Sequence, residues 1–224
     1  MRFVYGVAAL TVVMLATAGC GGGGGERIAN VSLVFSGQSG EDWDIYLVRA
    51  GAVAPLQAMR GDQLNPSTDD HRRLCVFESQ AGDQGDIMLA HLPEGPITGL
   101  VVGPQDDGDP AISMDGTKVV FVRRTDAGAD LWMINTNGTG LRQLTDWKGD
   151  EIDPAWSADG RAIYFAANRD GDFDIYRIEL HGAGVAKIAG GAGDQRYPTL
   201  QVAFERIVYA SNADGDWELY VKDA

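Results

Sequence analysis

Asp153-Pro154-Ala155-Trp156-Ser157-Ala158-Asp159-Gly160, followed by Ile163-Tyr164-Phe165-Ala166 and then Asp174-Ile175-Tyr176, reads as strand, tight turn, strand and third strand. The Asp159-Gly160 pair supplies the turn, because glycine accepts positive φ at little cost. Working outward, the same layout returns. Pro66, Pro110, Pro154 and Pro198 stand 44 residues apart, and so do Phe77, Phe121, Phe165 and Tyr209. A period of about 40 to 45 residues suits a four-stranded propeller blade, whereas helical repeats of similar length require amphipathic helices that this chain lacks.

Turn residues and alternating apolar positions divide each unit into strands a to d. In the third unit these are Pro110 to Ser113, Lys118 to Val122, Asp130 to Ile134 and Leu141 to Leu144; in the fourth, Pro154 to Ser157, Ala162 to Ala166, Asp174 to Ile178 and Val185 to Ile188. The second and fifth units lose the Ser-x-Asp-Gly turn but keep strands b and c, at Leu74 to Phe77 and Asp86 to Leu89, and at Arg206 to Ala210 and Glu218 to Val221. Val31 to Phe35 and Asp44 to Val48 copy strands b and c at the start, and Leu56, Leu100, Leu144 and Ile188 mark strand d. The expectation is an all-β fold, a β-propeller of about five four-stranded blades with the terminal blades incomplete. Glu26 to Asn30 could add a short edge strand.

Three regions follow: residues 1–19 as a leader, 20–30 as Cys20 plus a glycine tether, and 31–224 as the repeat domain. Arg2 precedes the apolar run Phe3 to Ala16, which is short for a transmembrane helix of about 20 residues. Gly21 to Gly25 form a flexible linker. With 18 basic and 32 acidic residues the net charge is -14, which disfavours nucleic acid as a partner. Cys75 is the other cysteine and reads as a small apolar strand residue.

The segment Leu15-Ala16-Thr17-Ala18-Gly19-Cys20 resembles a bacterial lipobox, which implies lipidation of Cys20 and a lipid anchor as the only membrane attachment. By the same resemblance, a position 21 that is not Asp implies the outer membrane. The motif from Asp153 to Tyr176, with Asn135-Thr136-Asn137-Gly138-Thr139-Gly140-Leu141-Arg142-Gln143-Leu144-Thr145, is similar to the TolB-type propeller repeat of bacterial envelope proteins. TolB itself has an N-terminal domain ahead of a six-bladed propeller, for which this chain has no room. The resemblance implies a protein or peptide partner in the envelope.

Strand alternation puts the d-to-a and b-to-c connections on one face, and both are acidic. Asp62, Asp106, Asp150 and Asp194 each lie four residues before a repeat proline, and Asp42, Asp83, Asp126, Asp170, Asp172, Asp214 and Asp216 stand in the b-to-c turns. Such a rim favours a basic protein or peptide; the competing reading is that the four periodic aspartates serve the turns themselves. Trp43, Phe173 and Trp217 share one blade position, either as a contact surface or as packing between blades, while Trp132 and Trp156 read as core. Trp147 is the better exposed aromatic candidate. Asp170-Gly171-Asp172-Phe173-Asp174 hints at calcium but lacks a full ligand loop, and reads as an Asp-Gly hairpin. His71, His91 and His181 fall at unrelated blade positions, so no catalytic residue, metal site or cofactor is expected. The function expected is non-enzymatic binding of an envelope protein or peptide, with a carbohydrate-binding or glycan-active propeller, with or without calcium, as the alternative.

Overall fold

A computed structural model describes residues 31–57, 59–82, 84–181, 184–201 and 206–223. The leader, Cys20, the glycine tether, the strand expected at Glu26 to Asn30, and Asp83 lie outside the described residues. Five antiparallel sheets follow one another along the chain. Blade one holds β1 (Val31–Ser39), β2 (Asp42–Arg49) and β3 (Ala52–Pro55); blade two holds β4 (Asp62–Thr68), β5 (Leu74–Gln80), β6 (Asp86–His91) and β7 (Ile97–Val101). Blade three comprises β8 (Asp106–Ile112), β9 (Lys118–Thr125), β10 (Gly128–Asn135) and β11 (Arg142–Gln143). Blade four comprises β12 (Glu151–Trp156), β13 (Ala162–Ala167), β14 (Asp174–Glu179) and β15 (Val185–Ala189), and blade five β16 (Gln195–Gln201), β17 (Arg206–Ser211) and β18 (Glu218–Asp223). This is the five-bladed β-propeller expected from the period, with three strands in each terminal blade among the described residues.

Strand a differs from the sequence reading. It begins three or four residues ahead of the proline, and the pairing with strand b slips between Leu64 and Ser67, Gly108 and Ala111, Ile152 and Ala155, and Arg196 and Thr199. Proline has no N–H to give the ladder, so the strand bulges around it and resumes on either side. The residue before each proline takes up the distortion: Asn65, Asp109, Asp153 and Tyr197 all have φ between 49° and 56°.

The Ser-x-Asp-Gly turns are closed by side chains. The Ser113 and Ser157 hydroxyls donate to Asp115 and Asp159 at 2.6 and 2.7 Å and accept the Lys118 and Ala162 amides at 3.0 and 2.9 Å. Blade two lacks this sequence, and the buried Asp69 carboxylate substitutes by accepting the amides of Arg73 and Leu74 at 2.7 and 2.8 Å.

The core lies between blades. One face of each of the first four blades, carried by Val76, Ile87 and Leu89 in blade two, packs on the next blade's repeat aromatic, here Phe121 with Val119. Phe77, Phe121 and Phe165 are fully buried, each removing an area worth about 2–3 kcal/mol. Cys75 joins the seam between blades one and two, where burial pushes its thiol up to about 12.

Candidate functional site

The four periodic aspartates occupy the face where strands b and c connect, and each is held by a backbone amide of the preceding blade. Asp62 accepts the Trp43 amide at 2.9 Å, Asp106 that of Gly85 at 2.9 Å, Asp150 that of Ala129 at 3.0 Å and Asp194 that of Phe173 at 3.0 Å. In each case the carboxylate ties the start of strand a to the b-to-c turn, or the second strand-c residue, of its neighbour. These groups are inter-blade clasps. In blades four and five the clasp is itself braced, since Asn168 and Asn212 accept the Asp150 and Asp194 amides, both at 2.7 Å.

The b-to-c turns carry the remaining carboxylates. Asp170 accepts the Tyr176 hydroxyl at 2.7 Å, which holds its carboxyl below the usual range, and Asp214 repeats the contact with Tyr220 at 2.9 Å. Asp172 accepts the Gly193 amide at 3.2 Å and Asp216 is exposed, as are Asp42 and Asp126. Asp174 is drawn inside, its carboxylate buried 2.5 Å from the Lys187 ammonium, which also lies 3.6 Å from Asp170. That ammonium pairs with two of the three carboxylates on which a calcium reading of the loop would rest. Among the described residues no group of three His, Cys, Asp or Glu side chains could hold a metal ion.

The aromatic expectations divide. Trp147 is half-buried rather than free, with ring centroids 5.4 Å from Phe165 and 5.8 Å from Tyr176 and the Arg169 guanidinium 4.4 Å above it. Its loop folds back over blade four because three apolar or cationic partners await it there. Phe173 packs on the buried cluster of Ile175, Ala189 and Ile207 between blades four and five, Trp43 is half-buried, and Trp217 is exposed. Trp156 is core, its indole donating to the Ala111 carbonyl at 2.9 Å, and Trp132 lies beneath Arg123 at 4.5 Å. His71, His91 and His181 sit at the opposite ends of the blades, in or beside a-to-b and c-to-d turns.

A second constellation was not visible in the sequence. The residues before the prolines are joined in two pairs across the inner strands: the Asn65 side-chain amide donates to Asp109 at 2.7 Å, where Arg124 also pairs at 2.5 Å, and the Tyr197 backbone amide donates to Asp153 at 3.2 Å, where Arg196 pairs at 2.5 Å. Glu78 accepts the Asp109 amide at 3.1 Å. Burial, with Glu78 and Asp153 nearby, outweighs Arg124 and pushes the Asp109 carboxyl up to about 6. The signal available was the shared offset from proline, but Asn, Asp, Asp and Tyr share no side-chain chemistry.

One position past each clasp is buried and polar: Gln63, Asp107, Glu151 and Gln195. Asp107 is met by Arg123 through bonds of 2.7 and 2.9 Å. Gln195 donates to the Gly193 carbonyl at 2.9 Å, and Gln63 to that of Gly61. A carboxylate at Glu151 cannot donate in this way. Burial, aided by the charge of Asp130, pushes its carboxyl up to about 7.

Fold and face together define a five-bladed propeller with a carboxylate-rich end and inner strands crossed by ion pairs. Residues 53–224 match the TolB beta propeller domain model, and the chain belongs to that family. Among solved structures, TolB from Acinetobacter baumannii is 18% identical with a TM-score of 0.71, over 81% of this chain and 46% of that one. A putative TolB from Agrobacterium tumefaciens is 20% identical with a TM-score of 0.69, over 80% and 70% of the two chains. Puromycin hydrolase shares the fold at 14% identity and a TM-score of 0.64, over 81% of this chain and 32% of the hydrolase. The chain thus spans less than half the length of the Acinetobacter protein. No curated protein is significantly similar in sequence.

Proposed function

We propose that this is a non-enzymatic, lipid-anchored propeller of the bacterial envelope, facing the periplasm from the outer membrane, whose acidic face binds a basic segment of an envelope protein. The observation that carries the reading is the division of labour among the aspartates. The periodic ones are engaged as clasps, while Asp172, Asp214 and Asp216 stand on the same face with oxygen atoms left for a partner. Uncompensated carboxylates on one end, in a chain of net charge -14, raise the local concentration of cationic ligands and steer their approach. The described histidines lie at the other end, away from these carboxylates, which favours binding over acid–base chemistry.

Cys20 and the five following glycines support the anchor: two or more acyl chains hold to a bilayer, and the linker lets the face reach outward. The test is radiolabelled palmitate incorporation and fractionation of wild type and Cys20→Ser, joined to crosslinking in intact cells. The expected result is label and outer-membrane recovery for wild type alone, with an envelope protein crosslinked to the propeller. An unlabelled wild type contradicts the anchor, and an absence of crosslinked envelope protein contradicts the binding role.

A further inference from the structure

Blade five ends in a face that every other blade covers. Position by position, Ile45, Ile87, Leu131 and Ile175 are buried under the following blade, whereas their counterpart Leu219 is 78% exposed. Val221 is 57% exposed where Leu89 and Met133 are buried. The same holds for the backbone. Trp217 is the counterpart of Trp43, Gly85, Ala129 and Phe173, whose amides are each received by a clasp aspartate, yet among the described residues no aspartate receives the Trp217 amide. Its ring is 52% exposed.

What covers this face elsewhere is chiefly one kind of segment. Strand a of each blade lies across the strands of the blade before it: β4 over β1 and β2, β8 over β5 and β6, β12 over β9 and β10, β16 over β13 and β14. In all four cases that strand begins with, or directly follows, an Asp, which is followed by a buried Gln, Asp or Glu, two residues and Pro. The chain therefore contains four worked examples of a segment that covers such a face, and among the described residues none lies on the face of blade five.

We propose that the open face of blade five is a docking site for an extended segment of a partner protein bearing Asp four residues before Pro. The partner's aspartate accepts the Trp217 amide, and the apolar residues around its proline cover Leu219 and Val221. A second copy of this chain fits less well, because its own exposed blade begins at β1 and presents no strand a and no clasp among the described residues. The site is built of apolar side chains and one amide, so the proposal does not depend on what the acidic face binds.

The probe is a synthetic peptide of residues 148–158 (Lys148-Gly149-Asp150-Glu151-Ile152-Asp153-Pro154-Ala155-Trp156-Ser157-Ala158), titrated into the isotope-labelled chain and followed by amide and methyl NMR. The expected result is saturable movement of the Trp217 amide and of the Leu219 and Val221 methyls. A peptide with Asp150→Ala should bind about tenfold more weakly, the loss of one charge-assisted hydrogen bond. Leu219→Asp should abolish binding; the side chain is exposed, so folding is preserved, while Asp172→Asn should leave binding unchanged. Absence of movement at millimolar peptide overturns the proposal, as does equal binding by the Asp150→Ala peptide. Self-association of the unliganded chain that Leu219→Asp abolishes would also overturn it, assigning the face to a second copy.

Discussion

At position 72 an arginine stands where blades three and four have Gly116 and Gly160, and it adopts the same left-handed backbone, with φ of 50° against 72° and 67°. A side chain in that region costs about 1 kcal/mol, so Arg72→Gly should stabilise the protein by about that amount in urea unfolding. Glu151 supplies a pH-dependent case. Its carboxyl sits at about 7 in the folded state against an ordinary 4.5. The folded chain therefore holds this proton to higher pH, and stability falls as pH rises from about 4.5 to about 7. Gln occupies the equivalent positions 63 and 195 and donates there to a glycine carbonyl. Glu151→Gln should accordingly raise stability by about 1–2 kcal/mol at pH 8, and the gain should vanish near pH 4.5. Thermal unfolding at the two pH values checks this; an equal gain at both would contradict the titration.

Strand a is the element that joins the blades, and its clasp can be tested alone. Asp150→Ala removes the acceptor of the Ala129 amide, the clasp between β10 and the start of blade four. The expected cost is about 1–3 kcal/mol, with faster hydrogen exchange at Ala129 than at Val120, which lies mid-strand. The offset of these aspartates from proline was legible in the sequence; their partners were not, because a backbone amide some twenty residues earlier leaves no residue-type signature. Strands b and c were legible through Phe77, Phe121, Phe165 and their alternating neighbours, all of which are buried. The start of strand a was not, since a bulge at the proline breaks the alternation that marks a strand. Lys187 reaching Asp174 was hidden for another reason: the irregular pairing of β14 with β15 that sets Lys187 beside Tyr176 depends on a register shift.

For the whole molecule, the five sheets meet in chain order, and among the described residues the last blade keeps an uncovered face at Leu219 and Val221. The propeller's architecture follows from the 44-residue period, and so do the clasps, so a binding role falls to the b-to-c carboxylates, which no clasp engages. Asn at these positions keeps the shape and an acceptor oxygen for Tyr176 and Tyr220 while removing charge. The most direct measurement is quantitative crosslinking capture of the envelope partner by wild type and by a variant with Asp170, Asp172, Asp214 and Asp216 all changed to Asn, at matched thermal stability. The account predicts that capture by the variant drops at least about tenfold and that added salt weakens wild-type capture. Equal capture by both proteins, insensitive to salt, would contradict it.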